Sequence, residues 1–219
     1  MTRLVLHFWN GILFFAAQRI DNQSIVKNIA YWWWELACYI LDTLGISEIY
    51  ETGCGQYKKA TRPLNVYELF MAKEIFGNSI NYARVRIDET AEIACKNSQL
   101  KYVSFYTINS WGGMSDDIFI HEMVHVWQYE NVGAAYIPKA LRVHLTEGLG
   151  YNYGGLDALK FCREKGGKLL DFNYEQQGDI VADYFRLKSG YLPIWGDATR
   201  KDLPVYEYFI DQLNAPTVS

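Results

Sequence analysis

The sequence predicts a helix-rich α+β fold in which a small sheet precedes one central helix. Ala83–Asp88 alternates small or apolar residues with Arg84 and Arg86, and Tyr102–Ile108 alternates again with aromatic and β-branched residues, as strands do. Two helical segments open on full capping signals, at Asn65 and Asn173. Half of the 219 residues are hydrophobic and 16% are aromatic, so the chain can bury the core of one generous domain and is not globally disordered.

Taken in order, the chain divides into an aromatic-rich helical extension over 1–61 and a main domain over 62–219. Leu4–Ala17 is an apolar run behind Arg3, but at about 14 residues, with His7 and Asn10 inside it, it is too short to span a bilayer. Ile29–Ile46 is apolar through Trp32-Trp33-Trp34 and interrupted by Glu35 and Asp42, so it too reads as a buried or interface-facing helix. A turn-rich stretch, Glu51–Arg62, closes this region with Gly53 and Gly55.

Asn65 caps the next helix, with Glu68 completing a capping box, Leu64 and Leu69 forming a staple, and Gly77 as terminator, which bounds it at Val66–Phe76. After the two strands, Asn109–Gly113 is a turn. Ser115 is placed to cap a helix over Asp116–Glu130, whose first-turn acids Asp116 and Asp117 suit the helix dipole. Helices are expected over Lys139–Leu149 and Leu156–Lys165. Another starts at Asn173, with Gln176 as capping partner and Gly190 near its end, and a short one covers Leu203–Leu213.

Net charge is −4 with Lys and Arg scattered, which excludes a nucleic-acid surface built on a basic stripe. Cys38, Cys54, Cys95 and Cys162 form no Cys-x-x-Cys pair and read as thiols in a reducing compartment, with disulfides after export as the alternative.

The chemistry gathers on His121-Glu122-Met123-Val124-His125. Residues four apart on a helix lie one turn above each other, so two neutral imidazoles can chelate one Zn2+ ion. Glu122 projects beside that ion, where it can accept a proton from metal-bound water of pKa ~7. With four histidines in the chain, this motif arises by chance on the order of once in a few hundred sequences. The competing reading is two histidines that merely share a helix surface.

Two acids compete as third ligand. Glu175 lies in the first turn of a capped helix, with Asp179 one turn on to hold a histidine's free N–H and aim its other nitrogen at the metal. Glu147 lies 22 positions after His125, a spacing suited to a compact site. The partner at helical spacing favours Glu175; a solvated acidic first turn is its ordinary alternative. Tyr151, Tyr153, Tyr129 and His144 are the candidates to stabilise an oxyanion, a role that depends on geometry.

Arg62–Glu68, Phe76–Ile87, Ile120–Tyr129 and Phe172–Gln177, taken in that order, resemble the Vgr-related zinc metallopeptidases. These are bacterial proteins associated with type VI secretion and Rhs-type elements, similar to peptidase-like domains of contractile injection systems. The resemblance covers about residues 62–190 and leaves the first 60 outside it. It implies a zincin-like fold, a third ligand from the Glu175-Gln176-Gln177 helix, and a place as a secretion-system component.

The expected activity is zinc-dependent hydrolysis of peptide or other amide bonds, those of peptidoglycan included, by Glu122-assisted attack of water. The alternative is an inactive, metal-stabilised interaction module or secretion-system accessory protein. It is disfavoured because structural zinc sites are cysteine-rich and Glu122 would be a needless buried charge. A membrane-acting toxin, suggested by the aromatic N-terminal helices, is the third reading. A peptide or protein substrate is the expected partner, and the expected location is the cytoplasm on synthesis, with export by a secretion system as the further expectation.

Overall fold

The computed structural model of the chain describes residues 22–45, 61–93, 95–98, 100–146 and 150–214. The apolar run Leu4–Ala17, the turn region before Thr61, Cys54 and the rival ligand Glu147 lie outside them. The described part is α+β and rich in helix, with a single four-stranded sheet among the described residues.

Helix α1, Asn22–Thr43, buries Leu36, Cys38 and Tyr39 but leaves Trp33 largely exposed. Cys38 and Tyr39 pack on Ala134 and Ala135, and Asp42 accepts the Ala134 N–H at 2.7 Å. Among the described residues no helix is long and apolar enough to cross a membrane.

Strand β1, Thr61–Pro63, pairs antiparallel with β2, Arg86–Asp88, which runs parallel to β4, Thr107–Asn109; β3, Tyr102–Ser104, closes the sheet antiparallel to β4. Three expectations are corrected here. Thr61–Pro63 is an edge strand rather than the end of a turn region, a position where the missing N–H of Pro63 does no harm. Tyr102–Ile108 is not one strand but a hairpin. A period-2 strand would put Val103 and Ile108 on opposite faces, whereas the turn at Phe105, with φ 59, places them opposite each other and both buried. Ala83–Asp88 is likewise strand only from Arg86, because Arg84 and Val85 donate back to Asn81 and Tyr82 in turns.

Helix α2, Val66–Phe76, has the expected bounds. Asn65 accepts from Glu68 N at 2.9 Å, Glu68 accepts from Asn65 N at 2.8 Å, and Gly77 ends the helix at φ 52. Arg62 ties it to the sheet by bonding both Glu68 and Glu89.

Helix α3, Asp116–Val132, carries the motif, and everything from Phe119 to Tyr129 is buried. Ser115 stands at its N-cap position without making a side-chain cap bond. Completely buried side chains such as Ile120, Met123 and Val124 each contribute ~1.5–3 kcal/mol of burial. The most extensive partner of α3 is α6, Tyr174–Lys188, which packs along it.

Between them lie α4, Tyr136–Thr146, and α5, Gly155–Glu164; α7, Leu203–Ile210, closes the core and runs on into a 3-10 turn, Asp211–Asn214. Helix α4 starts three residues before the expected Lys139, since Pro138 is tolerated within a first turn.

Candidate metal centre

The centre is built where α3 crosses α6. On α3, His121 and His125 turn their rings to the same side, with centroids 5.0 Å apart. On α6, the Asn173 cap starts the helix so that Glu175 comes to them. Asn173 Oδ1 accepts from Glu175 N at 3.0 Å and Gln176 N at 2.9 Å, and Gln176 returns the bond to Asn173 N. Glu175 Oε2 stands 3.3 Å from His121 Nε2 and 3.5 Å from His125 Nε2. The three residues are buried, and their ligand atoms lie within 4.8 Å of one another, so the group could hold a metal ion.

Each imidazole is oriented by its other nitrogen. His121 Nδ1 meets Asp179 Oδ1 at 2.8 Å. His125 Nδ1 meets Gln128 Oε1 at 2.7 Å, and that amide can face only one way, because its Nε2 donates to Tyr174 O and Gln177 Oε1. Gln177 is pinned in turn by donating to Phe172 O at 2.7 Å. Both Nδ1 atoms are thus committed as donors, which leaves both Nε2 lone pairs for a cation.

Without an ion the surrounding carboxylates favour protonated imidazoles, so a cation at the Nε2 atoms would displace protons. Burial opposes a charged His121, but Asp179 and Glu175 outweigh it and push the imidazole up to about 10. Burial likewise opposes charge on His125, and Glu175 overcomes it, raising its pKa. Glu175 is pulled well below the usual carboxylate range, against its burial, by His125 and His121. The carboxylates thus favour positive charge at the imidazoles, whether a proton or a metal ion supplies it.

Glu122 differs. Burial raises its pKa against the pull of His125 and His121, and its Oε2 is buried with no hydrogen-bond partner among the described residues. It lines a cavity of about 770 Å³ together with the three metal-capable residues, Tyr151, Tyr136 and Lys101. The walls of that cavity include Leu100, Val103, Ile118 and Ile194.

Of the oxyanion candidates, Tyr151 is at the centre. Its ring lies 6.0 Å from that of His121, it lines the same cavity, and burial followed by the nearby carboxylates raises its pKa. Tyr153 is not there: its hydroxyl is engaged with Asp183 at 2.8 Å and Tyr206 at 2.9 Å in the core. Tyr129 packs its ring against Phe105, Tyr106 and Tyr136. His144 belongs to α4, and its side chain is outside the described residues.

The sequence reading missed Gln128, Gly178, Tyr136 and Trp195. Gln128 was open to detection, since it follows His125 by three on the same helix. Tyr136, which stacks near His125 with centroids 6.2 Å apart and donates to Val103 O, carries no local signal.

No protein-family model matches the chain. Over 149 aligned residues it is 31% identical to the type VI secretion system spike protein VgrG2b of Pseudomonas aeruginosa, a match covering 62% of this chain. The chain spans only 14% of the length of that relative. The solved effector domain of Pseudomonas aeruginosa VgrG2b is 26% identical, with a TM-score of 0.44 over 64% of this chain and 85% of that one.

Proposed function

We propose that the chain is a type VI secretion-associated effector region whose centre is a zinc-dependent hydrolase of peptide or other amide bonds. The secretion context rests on the sequence similarity to VgrG2b. The chemistry rests on one observation: a buried His121-His125-Glu175 donor set beside a buried Glu122 oxygen that lacks a partner among the described residues.

The donor set fits zinc. Ligands at ~2.0–2.2 Å from a tetrahedral ion lie about 3.3–3.6 Å from one another. The Glu175 oxygen is 3.3 and 3.5 Å from the two Nε2 atoms, long for good hydrogen bonds and right for co-ligands. His121, His125 and Glu175 would hold the ion. When bound, zinc supplies Lewis acidity and lowers the pKa of water to ~7.

The rest falls to the chain's own groups. Glu122 takes the proton of the attacking water at Oε2 and passes it to the leaving nitrogen. A carboxylate whose pKa burial has raised is suited to do both. Tyr151 places a hydroxyl at the same centre, where it can donate to the developing oxyanion. The apolar walls exclude water from the reacting atoms. A zincin-like fold is part of this reading, supported by the motif helix following a small mixed sheet.

The second reading is a secretion-system accessory module that keeps a metal for stability, favoured by the spike-protein identity of the relative. Elemental analysis of wild type, Glu175→Ala and Glu147→Ala, followed by a peptide and peptidoglycan-fragment panel, separates the two. Stoichiometric zinc lost with Glu175→Ala, and turnover abolished by Glu122→Gln, would support the hydrolase. Zinc without turnover on any substrate would favour the module, and zinc lost with Glu147→Ala instead would move the third ligand.

A further inference from the structure

The two carboxylate oxygens of Asp179 serve different partners. Oδ1 meets His121 Nδ1, while Oδ2 accepts from the indole Nε1 of Trp195. Trp195 belongs neither to α3 nor to α6 but to the segment between α6 and α7.

That segment is held from several directions. The fully buried Asp183 accepts from Ile194 N at 2.5 Å and from Trp195 N at 3.1 Å. Asp183 is itself steadied by Tyr153 and, through it, Tyr206. Arg186 donates to Leu192 O at 2.7 Å while pairing with Asp117 at 2.5 Å. Gly155 and Gly196, at φ 67 and 89, meet back to back, and a Cβ on Gly155 would stand 3.3 Å from both Gly196 Cα and Trp195 O. Tyr191, Leu192 and Ile194 are nevertheless more than half exposed, so burying their side chains does not account for the anchoring. Besides Ile194 in the cavity wall, the segment delivers one indole N–H to the centre.

We infer that Trp195 is a positioning residue for the metal centre, acting on His121 through Asp179. An indole N–H is a donor only and does not ionise, so it supports Asp179 as an acceptor. With Oδ2 occupied, the carboxylate is not free to rotate, and Oδ1 stays on His121 Nδ1. That fixes the ring with Nε2 turned to Glu175 and His125. Asp183 fixes the two backbone amides that aim the indole, which gives a buried acid outside the centre a part in its geometry. The inference rests on the metal-centre reading above.

The test is zinc affinity of the full chain, by competition with a chromophoric chelator, for wild type, Trp195→Phe, Asp179→Ala and the double variant. Partners that orient metal-ligating histidines typically contribute 10–100-fold in affinity. Trp195→Phe should weaken binding about tenfold, the lower end of that range, because it acts one residue further out. In the double variant it should add nothing to Asp179→Ala, which a general packing defect would not reproduce. Unchanged affinity in Trp195→Phe, or losses that simply add, would overturn the inference while leaving the metal centre intact. A wild type that takes up no zinc would overturn both. Should Trp195→Phe not fold, the indole N–H resonance of Trp195 in the wild type decides: it should shift and gain exchange protection on zinc addition, and a signal indifferent to zinc refutes the coupling.

Discussion

Gly178 lies directly against the His121 ring: a Cβ there would stand 2.6 Å from Cε1 and 2.7 Å from Nδ1. Three residues after Glu175 and one before Asp179, it is the point at which α6 comes close enough for both acids to reach the imidazole.

Gly178→Ala should therefore separate helix stability from metal binding. Alanine favours an interior helical position by about 1 kcal/mol, so α6 by itself gains. The methyl group must nevertheless push His121 out of line with Asp179 and Glu175. Zinc affinity should fall at least tenfold, with little change in the thermal midpoint of the metal-free protein. Isothermal titration beside a melting curve reads both, and full affinity in the variant would mean that the ring has room to move.

Gln128→Leu keeps the bulk of the side chain and removes the acceptor for His125 Nδ1. It also strands Gln177 Oε1 and Tyr174 O, which accept from Gln128 Nε2. The loss of a histidine's orienting partner costs about 10–100-fold in metal affinity. Chelator competition checks this, and an affinity within twofold of wild type would assign Gln128 to packing alone.

Glu122→Gln replaces a buried carboxylate, one of whose oxygens lacks a partner among the described residues, with a neutral group of the same shape. Turnover should drop by about 10²–10⁴ if Glu122 moves the proton. Zinc content should stay at the wild-type level, and the melting temperature should hold or rise, since a buried ionisable group has been neutralised. Turnover close to wild type would remove Glu122 from the chemistry.

Zinc removal has a thermodynamic signature as well. An ion that binds only the folded chain stabilises it by about 2.7 kcal/mol at 100 times Kd. Melting in excess chelator should thus fall well below melting in excess zinc, and Glu175→Ala should be indifferent to either. A chelator-sensitive midpoint in Glu175→Ala would mean that the ion is held elsewhere.

The N-terminal helix offers a test away from the centre. Asp42 accepts the Ala134 N–H, and Cys38 and Tyr39 of α1 pack against Ala134 and Ala135. Asp42→Ala should leave that amide unsatisfied, at about 1–3 kcal/mol, and raise hydrogen exchange across α1 while sparing α3. Exchange unchanged in α1 would show that packing alone secures it.

How much of this was legible beforehand follows from distance along the chain. His121 and His125 share a face because helical geometry puts residues four apart one above another, Glu122 adjoins the first of them, and the boxes at Asn65 and Asn173 close over three residues. Glu175 and Asp179 could be nominated together for the same reason. Such patterns are local, so the sequence by itself determined them. What the tertiary structure decided lies across long separations: Gly178 under His121, Gln177 behind Gln128, Trp195 on Asp179, and Tyr153 drawn away to Asp183. The hairpin at Phe105 belongs here too, since the apolar residues of both its legs are compatible with one strand until Val103 and Ile108 must share a face. No spacing rule announces these contacts, because they exist only once α6 has packed along α3 and the sheet has closed, and it is burial that selects which polar groups must then find each other.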